Sequence, residues 1–472
     1  MKCVHAGSFR FLSGFLFFST LLCNGAVFAQ TQDTRAEALL RSRDAEFSKD
    51  IVTVAPGVYT AVGYSPGNAS MIVGVDGVVI IDTGQDPAQA AGIVDAFKAI
   101  SNLPVLGIIY THGHGDHTGG ASAFIGAQAP QIWALENFGS EDRPLAAAKL
   151  VVQQDRGTKQ AGFALPDALR INNGIAPAMR PNRANAFAAG TTAAAGSTNS
   201  AAPSTSPNRT FPGGRIAIEI AGVKLELVEA PGETSDQLYV WYPAQRVLFA
   251  GDNYYKSFPN LYAIRGTPYR DVLAWSNSLD LMLAEQALAV VPGHTRPVLG
   301  ETEVATALRK HRDAIRFVHD KTVEGMNMGM TPDDLVDYVK LPAELAVDPD
   351  LGEYYGRVEW AVRSIYTGYL GWYDGNPTRL SPLSNADEAQ RIAQLAGGKA
   401  ELAEQATAAL AAGDAQWAAQ LADYLLALDA SDTAAMLIKA NAFTLLARNS
   451  VNALGRNYYL SAAEQLRSQA NK

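Results

Sequence analysis

Short apolar runs alternate with turn residues through the first part of the chain. Tyr59–Val62, Met71–Val75 and Val78–Asp82 read as strands, broken at Pro66-Gly67 and Asp76-Gly77. The second break is two residues long between apolar runs, which predicts a hairpin. Over Pro87–Ile100 the apolar spacing becomes helical, with Asp86 as the cap and Pro87 in the first turn. Val105–Thr111 is again a strand. Strand patterns resume at Arg215–Ile220 and Val223–Val228, joined by Ala221-Gly222, and continue at Leu238–Tyr242 and Val247–Ala250. This alternation predicts an α/β architecture.

After Gly300 the pattern is helical throughout. Glu301–Met326, Pro332–Val339, Glu353–Tyr369 and Ala386–Gln394 carry helical spacing, with Thr331 as a cap ahead of Asp333-Asp334. Ala400–Ala412, Trp417–Leu428 and Thr433–Ala447 form an Ala/Leu-rich series whose short breaks resemble tetratricopeptide-type helical pairs. The expected organisation is a signal segment at 1–29, a polar lead-in at 30–50, an α/β catalytic domain at 51–300 and an all-helical domain at 301–472. Residues 184–207 carry no charged side chain and consist mainly of Ala, Ser, Thr, Gly, Asn and Pro, which predicts a flexible insertion.

The N-terminus adds a location. Lys2 and Arg10 precede the mainly apolar Phe11–Cys23, too short for a membrane span, and Val27-Phe28-Ala29 fits a cleavage site. A secretory signal implies a periplasmic or secreted bacterial protein, with no stable membrane insertion after cleavage. The only two cysteines, Cys3 and Cys23, lie in this segment, so neither a disulfide framework nor a Cys-based zinc module is available. Of 472 residues, 38 are Lys or Arg and 47 are Asp or Glu; the net charge of −9 disfavours binding to nucleic acid through its phosphates.

The sharpest chemical feature is Thr111-His112-Gly113-His114-Gly115-Asp116-His117, where the Val105–Tyr110 strand ends. His112 and His114, two apart in extended chain, project to one side and can grip one metal. Asp116 and His117 then point towards a second. Three imidazoles and a carboxylate suit zinc, although residue types alone leave iron and manganese open. His311 and His319 lie in the helical region and read as surface or packing residues.

This motif resembles that of the metallo-β-lactamase-fold hydrolases, as does Ile80-Ile81-Asp82-Thr83-Gly84 at the end of the early hairpin. The resemblance implies an αββα sandwich and further ligands at later strand ends. Asp252, after Leu248–Gly251, stands in the place of the bridging carboxylate, and His294, after Val291-Pro292-Gly293, in that of the last ligand of the second metal. Many members have a histidine after a mid-domain Pro-Gly pair; here Pro231-Gly232 is followed by Glu233, with Asp236 as the competitor. The implied first site is His112, His114 and Glu233, and the second Asp116, His117 and His294.

That glutamate is similar to the linear alkylsulfatase branch of the family. In that branch Asn and Arg at the spacing of Asn260 and Arg265 hold sulfate oxygens, which makes Arg265, with Asp116, a catalytic residue and Asn260 a substrate-binding one. The bland alternative is a structural arginine pairing with Asp271. Tyr369–Pro377, with its Gly-Trp-Tyr-Asp-Gly run, and Arg456–Leu460 resemble the branch's helical dimerisation domain, which implies a homodimer. The sequence departs in having Asp252 where the branch usually has Glu, and in offering only Arg156 across Lys149–Phe163. The branch also continues into a sterol-carrier-like domain into which this sequence does not extend. The expected activity is hydrolysis of an alkyl or aryl sulfate ester by two Zn²⁺ per chain. The alternatives are a hydrolase of a lactone, thioester, β-lactam or phosphodiester, and a scaffold whose metal is only structural.

Overall fold

The computed structural model describes residues 33–126, 129–181 and 205–472. The expected signal segment and nearly all of the 184–207 insertion lie outside the described residues. Thr34–Lys472 forms one compact unit.

In chain order its strands are β1 (Asp50–Ala55), β2 (Val58–Val62), β3 (Ala69–Val73), β4 (Val78–Ile81), β5 (Val105–Ile109), β6 (Gln131–Leu135) and β7 (Arg209–Phe211), then β8 (Arg215–Ile220), β9 (Val223–Glu229), β10 (Leu238–Tyr242), β11 (Val247–Gly251), β12 (Ala289–Pro292) and β13 (Val298–Leu299). The helices are α1 (Arg35–Ser42), α2 (Pro87–Lys98), α3 (Gly115–Thr118), α4 (Ala121–Phe124), α5 (Asp142–Ala147), α6 (Val151–Gln160), α7 (Val272–Ala284), α8 (Glu301–Asn327), α9 (Pro332–Tyr338), α10 (Ala343–Ala346), α11 (Val358–Leu370), α12 (Asn385–Ala396), α13 (Lys399–Ala411), α14 (Ala415–Leu428), α15 (Thr433–Arg448) and α16 (Ala453–Ala470).

β1 to β7 make one sheet in sequence order, antiparallel as far as β4 and parallel from β4 to β7. The second sheet runs β13-β12-β11-β10-β9-β8, with β11 and β12 its one parallel pair. β4, β11 and β12 are buried along their length and read as continuous apolar runs, whereas β9 alternates buried and less buried positions. Val58, Ile72, Val79, Ile81 and Ile109 of the first sheet meet Leu225, Leu227, Val240, Phe249 and Val291 of the second. The first sheet's other face packs Ile80, Ile108 and Ile132 on Ile93 and Phe97 of α2. The second sheet's other face packs Leu248, Ala250 and Val290 on Trp275 and Leu279 of α7 and Val304 and Leu308 of α8. The result is the αββα sandwich that the resemblance implied.

Beyond α8 the chain is helical. Successive helices pack on one another, α13 on α14, α14 on α15 and α15 on α16, and α16 also packs on α6 beside the sheets. Several elements were not read from the pattern, among them β1, β6, β7, β13, α5, α6 and α10, and three further helices show why. The polar lead-in contains α1, opened by a reciprocal cap between Thr34 and Glu37. α7 lies in a stretch read only for its motif residues. α16 buries a run of mixed polarity that includes Arg456, Asn457 and Ser461. Its small and polar buried residues blur the apolar period.

Candidate metal centre

The chemistry-bearing side chains sit where strands end. Asp82 follows β4, His112 to His117 follow β5, Glu233 follows β9, Asp252 follows β11 and His294 follows β12. The backbone there is tightly packed. A side chain at Gly293 would place its Cβ 2.0 Å from Asp252 Oδ1, so only glycine lets His294 approach. Gly251 has φ +54 and would drive a Cβ into Gln237 and Thr111.

All seven residues assigned as ligands come together. Three groups of donor atoms lie within 4.8 Å of one another: His112, His117 and Asp252; Asp116, His117 and His294; and His114, Glu233 and Asp252. His112 Nε2 is 2.9 Å from His114 Nδ1. Asp252 Oδ1 is 3.2 Å from His117 Nε2, and its Oδ2 is 3.2 Å from His294 Nε2, so this carboxylate lies between the imidazoles, as a bridge must. Asp236 is not among these groups. It accepts the Gly139 N–H at 2.6 Å and the Thr234 hydroxyl, and so shapes the loop under Gly113.

Three of the four imidazoles have one nitrogen hydrogen-bonded from outside and one aimed inward. His112 Nδ1 is 3.0 Å from the Thr111 hydroxyl, His117 Nδ1 is 2.8 Å from Asp82 Oδ2, and His294 Nδ1 is 2.8 Å from the Pro66 carbonyl. His114 Nε2 faces Glu141 Oε1 at 3.8 Å. Such outer partners fix the tautomer that presents a lone pair to a metal. His117 Nε2, Glu233 Oε2 and Asp252 Oδ1 are buried with no hydrogen-bond partner. Buried polar atoms rarely go unpaired, so these three fit metal ligands whose ion completes them.

The electrostatics agree. Burial pushes His112 well below its ordinary value, helped by His117 and His114. Burial would do the same to His117, but Asp252, Asp116 and Asp82 raise it well above. Burial would raise Asp252, yet His294 and His117 hold it well below the usual carboxylate range. Glu233 is pushed up to about 7 by burial, against the pull of Arg270. Without a cation the cluster therefore retains protons, which metal binding releases.

Three residues that the motif reading passed over hold the ligands. Asp82 accepts from the Thr111 N–H and hydroxyl, both at 2.8 Å, as well as meeting His117. Glu141 lies between His114 and Arg265, 3.7 Å from Arg265 Nη2. Arg270 is buried and donates to Glu233 Oε1 at 2.5 Å and to the Asn260 carbonyl at 2.7 Å. Asp271, the alternative arginine partner, instead caps α7 through the Ala274 N–H.

Of the two residues expected to hold substrate, Arg265 reaches the site and Asn260 lies deeper. Arg265 Nη2 is 3.3 Å from His114 Nε2. Its backbone N–H is held by Gln160 at 2.9 Å, and Arg156 holds the preceding Ile264 carbonyl at 2.6 Å, so α6 braces this loop. Asn260 is fully buried, with both side-chain amide atoms unpartnered. The cavity above the cluster has a volume of about 510 Å³. His114, Asp116, Asp252, His294, Arg265 and Tyr355 line it beside the cluster, Leu145, Ala146, Leu150, Val151, Phe163 and Leu454 add apolar surface, and Gln85, Lys149, Gln153, Gln154 and Thr158 add polar wall. Of the two histidines placed in the helical region, both are packing residues: His311 is buried on α8 against Tyr254 and Tyr255, and His319 bonds Tyr369.

The sequence matches the metallo-beta-lactamase superfamily over residues 62–294 and the alkyl sulfatase dimerisation family over residues 331–469. It is 36% identical to a linear primary-alkylsulfatase from a Pseudomonas species, over 84% of this chain and 73% of that protein. The chain belongs to the alkylsulfatase family. It is therefore an enzyme, a metal-dependent hydrolase on the metallo-β-lactamase fold. It is also 29% identical to an (R)-specific secondary-alkylsulfatase of Pseudomonas, across 88% of this chain but only 62% of that longer protein. The solved structure of a stereoselective inverting sec-alkylsulfatase from Pseudomonas superposes with a TM-score of 0.79 at 29% identity, covering 89% of this chain and 66% of that one. Among the described residues no helix is long and apolar enough to cross a membrane.

Proposed function

We propose that this chain is a binuclear zinc hydrolase, exported to the bacterial periplasm or beyond, that cleaves alkyl or aryl sulfate esters to an alcohol and inorganic sulfate. The names of its relatives support the substrate class, and the site supports it chemically. His112, His114 and Glu233 would hold one ion and Asp116, His117 and His294 the other, with Asp252 between. Two zinc ions there would supply Lewis-acid polarisation and activation of water near neutral pH.

The chain's own residues do the rest. The Arg265 guanidinium offers planar, permanently charged donors to sulfate oxygens at the edge of the metal cluster. Glu141 keeps that guanidinium beside His114. The buried Asn260 amide adds neutral donor and acceptor capacity beneath the loop that carries Arg265. The apolar cavity wall receives the alkyl or aryl group and excludes water from it. One observation carries the reading: an arginine clamp directly beside a seven-donor metal cluster, at the base of a cavity that also offers a patch of apolar wall.

The test is sulfate release from dodecyl sulfate and an aryl sulfate by metal-loaded protein, run beside hydrolysis of a lactone and a β-lactam. Release of sulfate, with the other substrates untouched, is the expected result. Absence of sulfate release across alkyl and aryl esters, with activity on another substrate, overturns the substrate and leaves the metal assignment standing.

A further inference from the structure

A second cavity, of about 310 Å³, lies between α8, β13 and the turn at Asp348–Leu351. Among the described residues it shares no lining residue with the cavity above the metal cluster. It runs inward from Glu303 and Lys310, exposed on α8, to a base made of Tyr254 and His311, each only 1% exposed. A space of this size admits a small molecule.

The base is incomplete as it stands. Neither ring nitrogen of His311 has a hydrogen-bond partner, and neither has the Tyr254 hydroxyl. The two rings meet edge to face, 5.2 Å apart. Buried polar atoms rarely go unpaired, yet here three of them, from two touching side chains, do so at one cavity. Burial keeps the His311 imidazole neutral, so one of its nitrogens donates and the other accepts. The hydroxyl can do both.

The walls set the charge of a fitting occupant. Lys310 is engaged by Asp348 at 2.5 Å. Asp348 also accepts the Asp350 N–H at 2.8 Å, in the turn that brings Asp350 to the cavity. Asp350 and Glu303 make no ion pair among the described residues. Burial pushes the Asp350 carboxyl up, and Lys256, which draws it down, is already paired with Glu46 at 3.1 Å. Three carboxylates thus face one lysine, which favours a cation. A metal ion does not fit, because no three His, Cys, Asp or Glu donors among the described residues converge here. An ammonium group does fit. Its three N–H donors match a carboxylate, a hydroxyl oxygen and an imidazole nitrogen, and Val298, Ala307 and Leu351 suit a short carbon body.

We propose that this cavity binds a small organic ammonium ion, with its charge on Asp350 and its N–H groups on Tyr254 and His311. The site backs on the metal centre. The ring of Tyr255, the next residue along the chain, is 6.0 Å from that of His311 and 6.2 Å from that of His294.

Calorimetric titration of the metal-loaded full chain with n-butylammonium chloride tests the site. Titrations with 1-butanol and sodium butyrate, which share the carbon body, run beside it. The ammonium ion should bind saturably, one per chain, and at least about 10-fold more tightly than either control. Asp350→Asn and Tyr254→Phe should each weaken it about 10-fold, the cost of one hydrogen bond to a charged group, with far-UV circular dichroism unchanged. In protein carrying ¹³C at histidine Cε1, the His311 signal, assigned by its loss in His311→Leu, should move during the titration. Failure to bind, or binding no tighter than that of 1-butanol, overturns the proposal and leaves the unpaired atoms to water. Binding undiminished in Asp350→Asn, or a His311 signal that stays still, places the ammonium ion elsewhere and overturns it equally.

Discussion

Asp82 offers the most stringent test of the metal centre, because it touches no proposed ion. It lies just after β4 with φ +54, a backbone state that Asp tolerates better than most residues. Its Oδ1 accepts the Thr111 N–H, and its Oδ2 serves both the Thr111 hydroxyl and His117 Nδ1. Asp82→Asn keeps the shape and removes one acceptor. With its oxygen on the Thr111 N–H, the new NH2 donates to His117 Nδ1 and moves the ring proton to Nε2, the atom aimed at the metals. Flipped, the amide leaves the Thr111 N–H facing another donor. A hydrogen bond to a charged group contributes about 1.5–3 kcal/mol. Losing the one that fixes His117 should weaken metal binding on the order of 10- to 100-fold, the usual cost of an outer partner. Competition against a chromophoric zinc chelator measures this directly, with circular dichroism as the control for folding. Wild-type affinity and stoichiometry in Asp82→Asn would refute the claim that the outer partners set the tautomers.

Glu233→Ala should lower the metal content per chain measured by atomic absorption, while Asp236→Ala should not; the reverse outcome would exchange their roles. Arg265→Ala should leave the metals in place and cut sulfate-ester turnover about 100-fold or more, the cost of one lost oxyanion donor, read as kcat and KM on metal-saturated protein. His311 gives a pH signature: burial pushes its imidazole down to about 3, and both ring nitrogens lack hydrogen-bond partners. Its folded value is depressed, so the stability it contributes is present above the unfolded value near 6.5 and is lost as pH falls from there towards 3. Between pH 6.5 and 5 the unaltered protein should lose about 2 kcal/mol more than His311→Leu in urea unfolding; equal losses would show that His311 takes up its proton as readily in the folded protein as in the unfolded chain.

The proposed metal ligands could be picked out because they obey local rules. His112, His114, Asp116 and His117 are contiguous, and Asp252 and His294 each close an apolar strand run. Glu233 followed from a Pro-Gly pair and a resemblance. Their supports were not legible in the same way. Asp82 was visible as a hairpin end, but its role depends on pairing with a residue 35 positions later, and Arg270 meets Glu233 across 37 positions. No periodicity encodes such distances. Glu141 follows Gly139-Ser140 in a loop with no motif. His311 did leave a signal: Val304, Leu308, His311, Ile315, Val318 and Thr322 repeat with helical spacing on α8, and all are buried. The same rule that placed the apolar residues inside would have placed this histidine with them.

Donors for the three groups begin at residue 112 and end at residue 294, and each group draws on both sheets. Neither sheet alone therefore completes any of the three groups. The complete coordination sphere comes into being only when the two sheets have docked. Contacts this distant in sequence form late, after the loop between them has been closed. Completion of the metal site then marks the end of folding for this chain.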